Sequence, residues 1–261
     1  MVTRDTAWAP GTPCWVDLGT GDTGQAAKFY SGLFGWDVQQ GGPETGGYAI
    51  CLRNGRAVAG IGPKQGPPGT PPTWTTYLAT ADAGQTAARI KAAGGQLLVE
   101  PMDVMDAGRM LIAADPGGAV FGAWQAAAHT GVGLADEPGA LCWNENLSRD
   151  FEGNKSFYRA VFGYEYGDIP DAGMQYSTFR IGGADVGGIG AIDSSFPAGM
   201  PACWTVYFAT EDTDAAAAAV TATGGGVERP PWDTPYGRMA VVHDDQGAVF
   251  SLISMPASAG G

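Results

Sequence analysis

Histidine is nearly absent from this chain. Only His129 and His243 occur in 261 residues, and they are not equivalents of one another in the repeat described below. Cysteine is scarce too: the four cysteines have no metal-type spacing, and they read as reduced core or pocket thiols rather than a disulfide framework. No Lys/Arg cluster occurs, and the net charge is −13. Nucleic-acid binding needs a basic footprint, so it is excluded, and an anionic membrane surface is excluded for the same reason. No stretch approaches the roughly 18 uninterrupted apolar residues of a membrane span. No apolar run follows the first charges, so no signal peptide is expected and the chain is read as cytoplasmic.

What the chain does contain is one unit written twice. Cys14-Trp15-Val16-Asp17-Leu18 returns as Cys142-Trp143-Asn144-Glu145-Asn146. Phe29-Tyr30 with Phe34-Gly35 returns as Phe157-Tyr158 with Phe162-Gly163. Trp74-Thr75 with Tyr77 returns as Trp204-Thr205 with Tyr207, and Gly108-Arg109-Met110 as Gly237-Arg238-Met239. The near-constant offset of about 129 residues is too long for a solenoid repeat, so each copy is a domain. The expected division is 11–126 for the first domain, 127–139 for a linker and 140–256 for the second.

Each copy halves again. Cys14–Thr20 alternates as a strand, Asp22 or Thr23 caps a helix carrying Ala26, Phe29, Tyr30, Leu33 and Phe34, and Gly35 ends it. Strands are expected around Trp36–Gln40, Tyr48–Leu52 and Ala57–Ile61, with Asn54-Gly55 as a hairpin turn. After a Pro/Gly-rich link the plan restarts with strand Trp74–Thr80 and an Ala-rich helix capped by Asp82. The order is β-α-β-β-β, four times along the chain, in the α+β class.

That order, the "D…FY…LFGW" strand–helix unit and the "ADPGGAVFG" and "DDQGAVFS" turn-strands resemble the vicinal oxygen chelate superfamily. This superfamily includes glyoxalase I, the bleomycin and fosfomycin resistance proteins and the extradiol dioxygenases. The resemblance extends to its tandem glyoxalase-like or hydroxylase-like proteins of actinomycetes. It implies two domains of the glyoxalase/bleomycin-resistance type, each pairing two modules into a cup-shaped mixed sheet. Pairing within a copy and swapped pairing between copies are both open at this stage.

The enzymes of the family hold a divalent metal in the cup, and the resistance proteins hold a bare ligand. Carried over by motif, the metal positions fall on Trp15, Trp74 and Gly122, and on Trp143, Trp204 and Ser251. Indole only donates, glycine has no side chain and a neutral hydroxyl is a weak ligand. The expectation is a cup without metal or other cofactor, walled by Trp15, Trp74, Trp143 and Trp204. The remaining route to a metal is a carboxylate-rich site using Asp17 or Glu145.

Asp17 and Glu145 lie two residues after a duplicated Trp and therefore share its strand face. Inside an apolar cup either could serve as general acid or base. Arg109 and Arg238 could bind a ligand anion, or equally pair with a nearby acid. Tyr48, Tyr176 and Tyr236 are further polar candidates. His129, in the linker, is expected to be solvent-exposed. His243 has no Ser or Cys that the sequence places beside it, so a nucleophilic triad is unsupported.

The first expected function is metal-independent binding of a small aromatic or apolar metabolite, in antibiotic resistance or natural-product biosynthesis. The alternative is a glyoxalase-like lyase or isomerase, or a hydroxylase, using a carboxylate base. A third reading is a partner-binding protein with filled cups. The chain is expected to be a monomer or a homodimer.

Overall fold

A computed structural model describes residues 2–67, 69–170 and 173–254. The first copy runs β1 (Val2–Thr3), β2 (Pro13–Thr20), α1 (Thr23–Phe34), β3 (Asp37–Gln40), β4 (Ala49–Arg53) and β5 (Arg56–Pro63). It continues with β6 (Thr73–Ala79), α2 (Ala83–Ala92), β7 (Gln96–Val104), β8 (Gly108–Ala114) and β9 (Val120–Ala126). A short β10 (Leu134–Ala135) lies in the linker. The second copy runs β11 (Leu141–Ser148), α3 (Phe151–Phe162), β12 (Glu165–Asp168), β13 (Tyr176–Ile181) and β14 (Ala184–Ala191). It ends with β15 (Cys203–Ala209), α4 (Thr213–Ala222), β16 (Gly226–Thr234), β17 (Gly237–His243) and β18 (Val249–Ser254).

Local chemistry sets the element ends. Asp22, Asp82, Asp150 and Asp212 each cap a helix by accepting from a backbone N–H three residues on. Gly35 and Gly163 close α1 and α3 in the left-handed conformation, at φ 68° and 77°. Asn54 and Gly55 both have positive φ, as the two-residue hairpin between β4 and β5 requires.

Apart from β1, sheet pairing stays within each copy. The first sheet has the order β3-β4-β5-β2-β6-β9-β8-β7, and the second has β12-β13-β14-β11-β15-β18-β17-β16. Each is mixed and open, with two βαβββ modules side by side, as the resemblance implies. β1 pairs with β10, and β10 extends the second sheet beside β11.

Each helix packs on its own sheet, but the aromatic side chains of α1 and α3 also cross between copies. The aromatic face of α1 meets the second sheet: Phe34 lies 5.1 Å from Phe208 and Tyr30 lies 5.6 Å from Phe250, ring centre to ring centre. Symmetrically, Phe121 of the first sheet packs 5.6 Å from Tyr158 of α3. Each crossing ends in a buried acid. Tyr30 donates to Asp244 (3.0 Å) and Tyr158 donates to Asp115 (2.9 Å). The helix-bearing faces of the two sheets therefore form two cores, each built from both copies, and each sheet leaves its opposite face, the cup face, to the site.

Candidate functional site

Side chains alternate along β2, so Val16 and Leu18 enter the core while Trp15 and Asp17 turn to the cup. The register sets their neighbours. Trp15 faces Tyr77 and Asp17 faces Thr75 across to β6; Asp17 adjoins Gly60 of β5, and Tyr77 adjoins Gly122 of β9. The glycines make room for phenol rings. A Cβ at Gly60 would stand 1.9 Å from the Tyr48 hydroxyl, and one at Gly122 would stand 2.1 Å from the Tyr77 ring. Tyr48 and Tyr77 thus lie flat over backbone and converge on one acid.

The result is a hydrogen-bonded chain. Trp15 Nε1 donates to the Tyr48 hydroxyl (2.9 Å), which donates to Asp17 Oδ2 (3.2 Å). The Tyr77 side chain lies beside the same carboxyl and helps to lower its pKa. The second cup repeats the arrangement: Trp143 Nε1 donates to Tyr176 (3.0 Å) and Tyr207 donates to Glu145 Oε2 (2.9 Å). Tyr176 also lies beside Glu145, and its hydroxyl lies where a Cβ at Gly188 would come within 1.8 Å.

Burial pushes the Asp17 carboxyl up to about 6, with Tyr77 and Tyr48 opposing. Glu145 is raised by burial in the same way, with Tyr207 and Tyr176 opposing. Both acids are closed in by protein yet keep part of their surface open to the cup. Burial and the adjacent acid raise the four phenols above their ordinary range, so they remain protonated donors.

Several expected site residues lie elsewhere. Trp74 and Trp204 are on the helix side of their strands, donating to Tyr30 (3.1 Å) and Tyr158 (2.8 Å) inside the two shared cores. Trp15 precedes its helix cap Asp22 by seven residues, but Trp74 precedes Asp82 by eight, and one residue reverses the face of a strand. The cup residues of β6 and β15 are Thr75 with Tyr77 and Thr205 with Tyr207. Their duplicated Trp-Thr-x-Tyr spacing was the available signal for the two missed tyrosines.

Arg238 pairs with Asp214 of α4 (Nη2 to Oδ1 3.0 Å) and with Asp233 (2.9 Å), on the helix side away from Glu145. Arg109 is exposed, 3.8 Å from Asp103. Tyr236 is exposed in the β16–β17 turn, within electrostatic reach of Tyr176. Ser251 is fully buried beneath Tyr207. His243 lies 3.6 Å from Glu228 of β16.

His129 corrects the expectation of a solvent-exposed linker residue. Its ring stands edge-on to Trp15 at 4.3 Å and lies 5.6 Å from Trp124, half-buried over one end of the first cup. Burial holds the imidazole down to about 4. Of two open clefts, about 490 and 300 Å³, the smaller is lined by Trp8 and Trp124 at the end of the first cup, and neither includes Asp17 or Glu145.

The residues present do not fit a divalent metal. Among the described residues no three of His, Cys, Asp and Glu come together. Each cup offers one carboxyl and two neutral phenols, and phenols raised in this way do not ionise to become ligands.

The two buried groups of the first cup give opposite pH signatures. Asp17 binds its proton more tightly folded, at about 6, than at its ordinary 3.8. Its stabilising share is complete below the lower value and is lost as pH rises through the upper one. His129 is held down from 6.5 to about 4, so its share is complete above 6.5 and is lost as pH falls. Asp17→Asn is expected to gain about 1–2 kcal/mol over the native chain between acid and neutral pH, allowing for the open side of the carboxyl. His129→Gln is expected to gain in the opposite direction. Urea unfolding at both pH values checks this, and a variant curve parallel to that of the native chain would refute the assignment for that residue.

The sequence profile described as "Glyoxalase/Bleomycin resistance protein/Dioxygenase superfamily" matches residues 14–123 and 145–252. The chain is 43% identical over 249 residues to "Putative glyoxylase CFP32" of Mycobacterium tuberculosis (strain CDC 1551 / Oshkosh), covering 93% of this chain and 94% of that protein. It is 36% identical over 277 residues to "Anthracycline biosynthesis protein DnrV" of Streptomyces peucetius, covering 98% and 99%. Among solved structures, the Mn(II)-bound glyoxalase of Novosphingobium aromaticivorans shares the fold. It has a TM-score of 0.65 at 16% identity, covering 94% of this chain and 82% of that one.

Proposed function

This chain belongs to the glyoxalase/bleomycin resistance/dioxygenase superfamily, and from that premise we propose that it binds a small aromatic metabolite in its cups without a metal ion, in natural-product biosynthesis or resistance. The observation that carries this reading is the Trp–Tyr–carboxyl–Tyr group at the centre of each cup. An indole offers a flat apolar wall at low entropic cost, and the carboxyl offers one oriented polar contact to a hydroxyl or carbonyl. Covering about 200 Å² of apolar ring surface is worth roughly 5 kcal/mol before ordering costs are subtracted. The relative named for anthracycline biosynthesis supports a polycyclic hydroxyaromatic as the ligand class.

A second reading is proton transfer by Asp17 or Glu145 as a carboxylate base. It is favoured by one observation, the rise of Asp17 to about 6, which brings the acid near the pH at which such a base works. The relative named a putative glyoxylase points the same way.

Titration with a hydroxylated anthraquinone, followed by Trp fluorescence and calorimetry, separates the two. Glu145→Gln keeps a neutral hydrogen-bonding group, so a binder should retain its affinity to within about threefold. Retained binding with loss of a measured turnover would favour the enzyme. If no aromatic ligand perturbs the Trp fluorescence, the binding proposal fails and filled cups become the better reading.

A further inference from the structure

The two cups are built on one plan but differ at one end. In the first, β9 carries Trp124 beside Gly122 on the cup face, and the linker then doubles back over it. His129 N donates to Ala107 O, Val132 N to Cys14 O and Gly133 N to Ala57 O. This strap runs from the β7–β8 turn across β2 to β5, so it spans both modules of the first domain. Trp124 Nε1 donates to His129 O (2.9 Å) and Trp8 Nε1 donates to Val132 O (3.1 Å), which fix it from both sides. The His129 ring is thereby pressed against Trp15, centre to centre 4.3 Å and nearly perpendicular. Trp15 is left 3% exposed.

In the second cup the equivalent of Trp15 is Trp143, which remains partly exposed, and among the described residues no aromatic ring packs on it. The equivalent of Trp124 is Ile253, because Gly122 adjoins Tyr77 as Ser251 adjoins Tyr207. Isoleucine is shorter and carries no ring. The position matching His129 at the repeat offset is 258, a serine outside the described residues, so the sequence supplies no imidazole there. The hydrogen bond from Trp143 Nε1 to Tyr176 holds the indole plane, and Trp143 keeps part of its surface exposed.

We infer that the chain binds one ligand, in the second cup, with an aromatic ring of the ligand placed edge-on against Trp143 where His129 stands against Trp15 in the first. This rests on the binding reading above and adds to it the cup, the stoichiometry and the pose. The first cup is then the template: its own histidine occupies the ring position, and the carboxyl lies beyond it. An edge-to-face arrangement of this kind adds to the area buried, because the ring edge is positive and the indole face negative. A ligand of this class carries an aromatic ring at one end and a hydroxyl or carbonyl at the other, directed at Glu145.

Calorimetric titration of the full chain with a hydroxylated anthraquinone tests this. One equivalent is expected for the native chain. Ile253→Trp rebuilds the wall of the first cup in the second and should weaken binding at least about tenfold. His129→Ala keeps the backbone bonds of the strap, empties the ring position beside Trp15 and should raise the stoichiometry to two. Two equivalents in the native chain, unchanged affinity in folded Ile253→Trp, or one equivalent in folded His129→Ala would each overturn the inference while leaving the binding reading intact. No binding by the native chain would overturn both.

Discussion

Asp244→Ala and Asp115→Ala are each expected to lower the unfolding free energy of the whole chain by about 3–5 kcal/mol, in one transition. Asp244 is fully buried and accepts from the Gln246 and Ala248 backbone N–H groups (2.9 and 2.8 Å) and from Tyr30 of the other copy (3.0 Å). Alanine leaves these donors without a partner in a place water does not reach. Asp115 holds the Ala119 N–H of its own turn, and from the second copy Tyr158, Asn146 and Asn154 (2.9, 3.2 and 3.0 Å). The Asp-x-x-Gly turn of each domain is thus the receptor for the aromatic helix of the other. Loss of either acid loosens both domains, because each sheet shares its core with the opposite copy. Urea unfolding followed by Trp fluorescence measures the effect. Two separated transitions in the native chain, or a loss below about 1 kcal/mol in either variant, would contradict shared cores.

Gly188→Ala is expected to disable the second cup. The added Cβ would stand 1.8 Å from the Tyr176 hydroxyl, 2.5 Å from its Cζ and 3.1 Å from Trp143 Nε1. The phenol must swing off β14, and with it go the bond that orients Trp143 and the phenol's place beside Glu145. Overpacking of this kind costs about 1–3 kcal/mol of stability, and loss of the oriented wall should weaken aromatic ligand binding at least about tenfold. Glu145 should titrate still higher, since a phenol that favours its charged form is removed. Gly60→Ala makes the same change in the first cup, 1.9 Å from Tyr48, and serves as the comparison. Thermal unfolding, calorimetry and a carboxyl titration by infrared or NMR read the three effects. Native-like affinity in Gly188→Ala would remove Tyr176 from the site.

What could be read from the residues alone was what is local or repeated. The duplication, the helix caps at Asp22 (or Thr23) and Asp82, the Gly35 end of α1, the Asn54-Gly55 hairpin and the order of elements depend on neighbours a few positions apart or on the repeat itself. Asp17 and Glu145 were also legible, because each shares a strand and a face with a duplicated Trp. The tertiary structure alone decided three further matters. It turned Trp74 and Trp204 into the core, since the face of a strand depends on a phase that one residue reverses, and β2 itself shifts register between Pro13 and Trp15. It kept the sheets and their helices within the copies while joining the copies through contacts such as Tyr30 with Asp244, 214 positions apart, that no periodicity encodes. And it brought His129 out of a linker onto Trp15, because the path of a strap is set by the backbone groups it bonds to rather than by its own side chains.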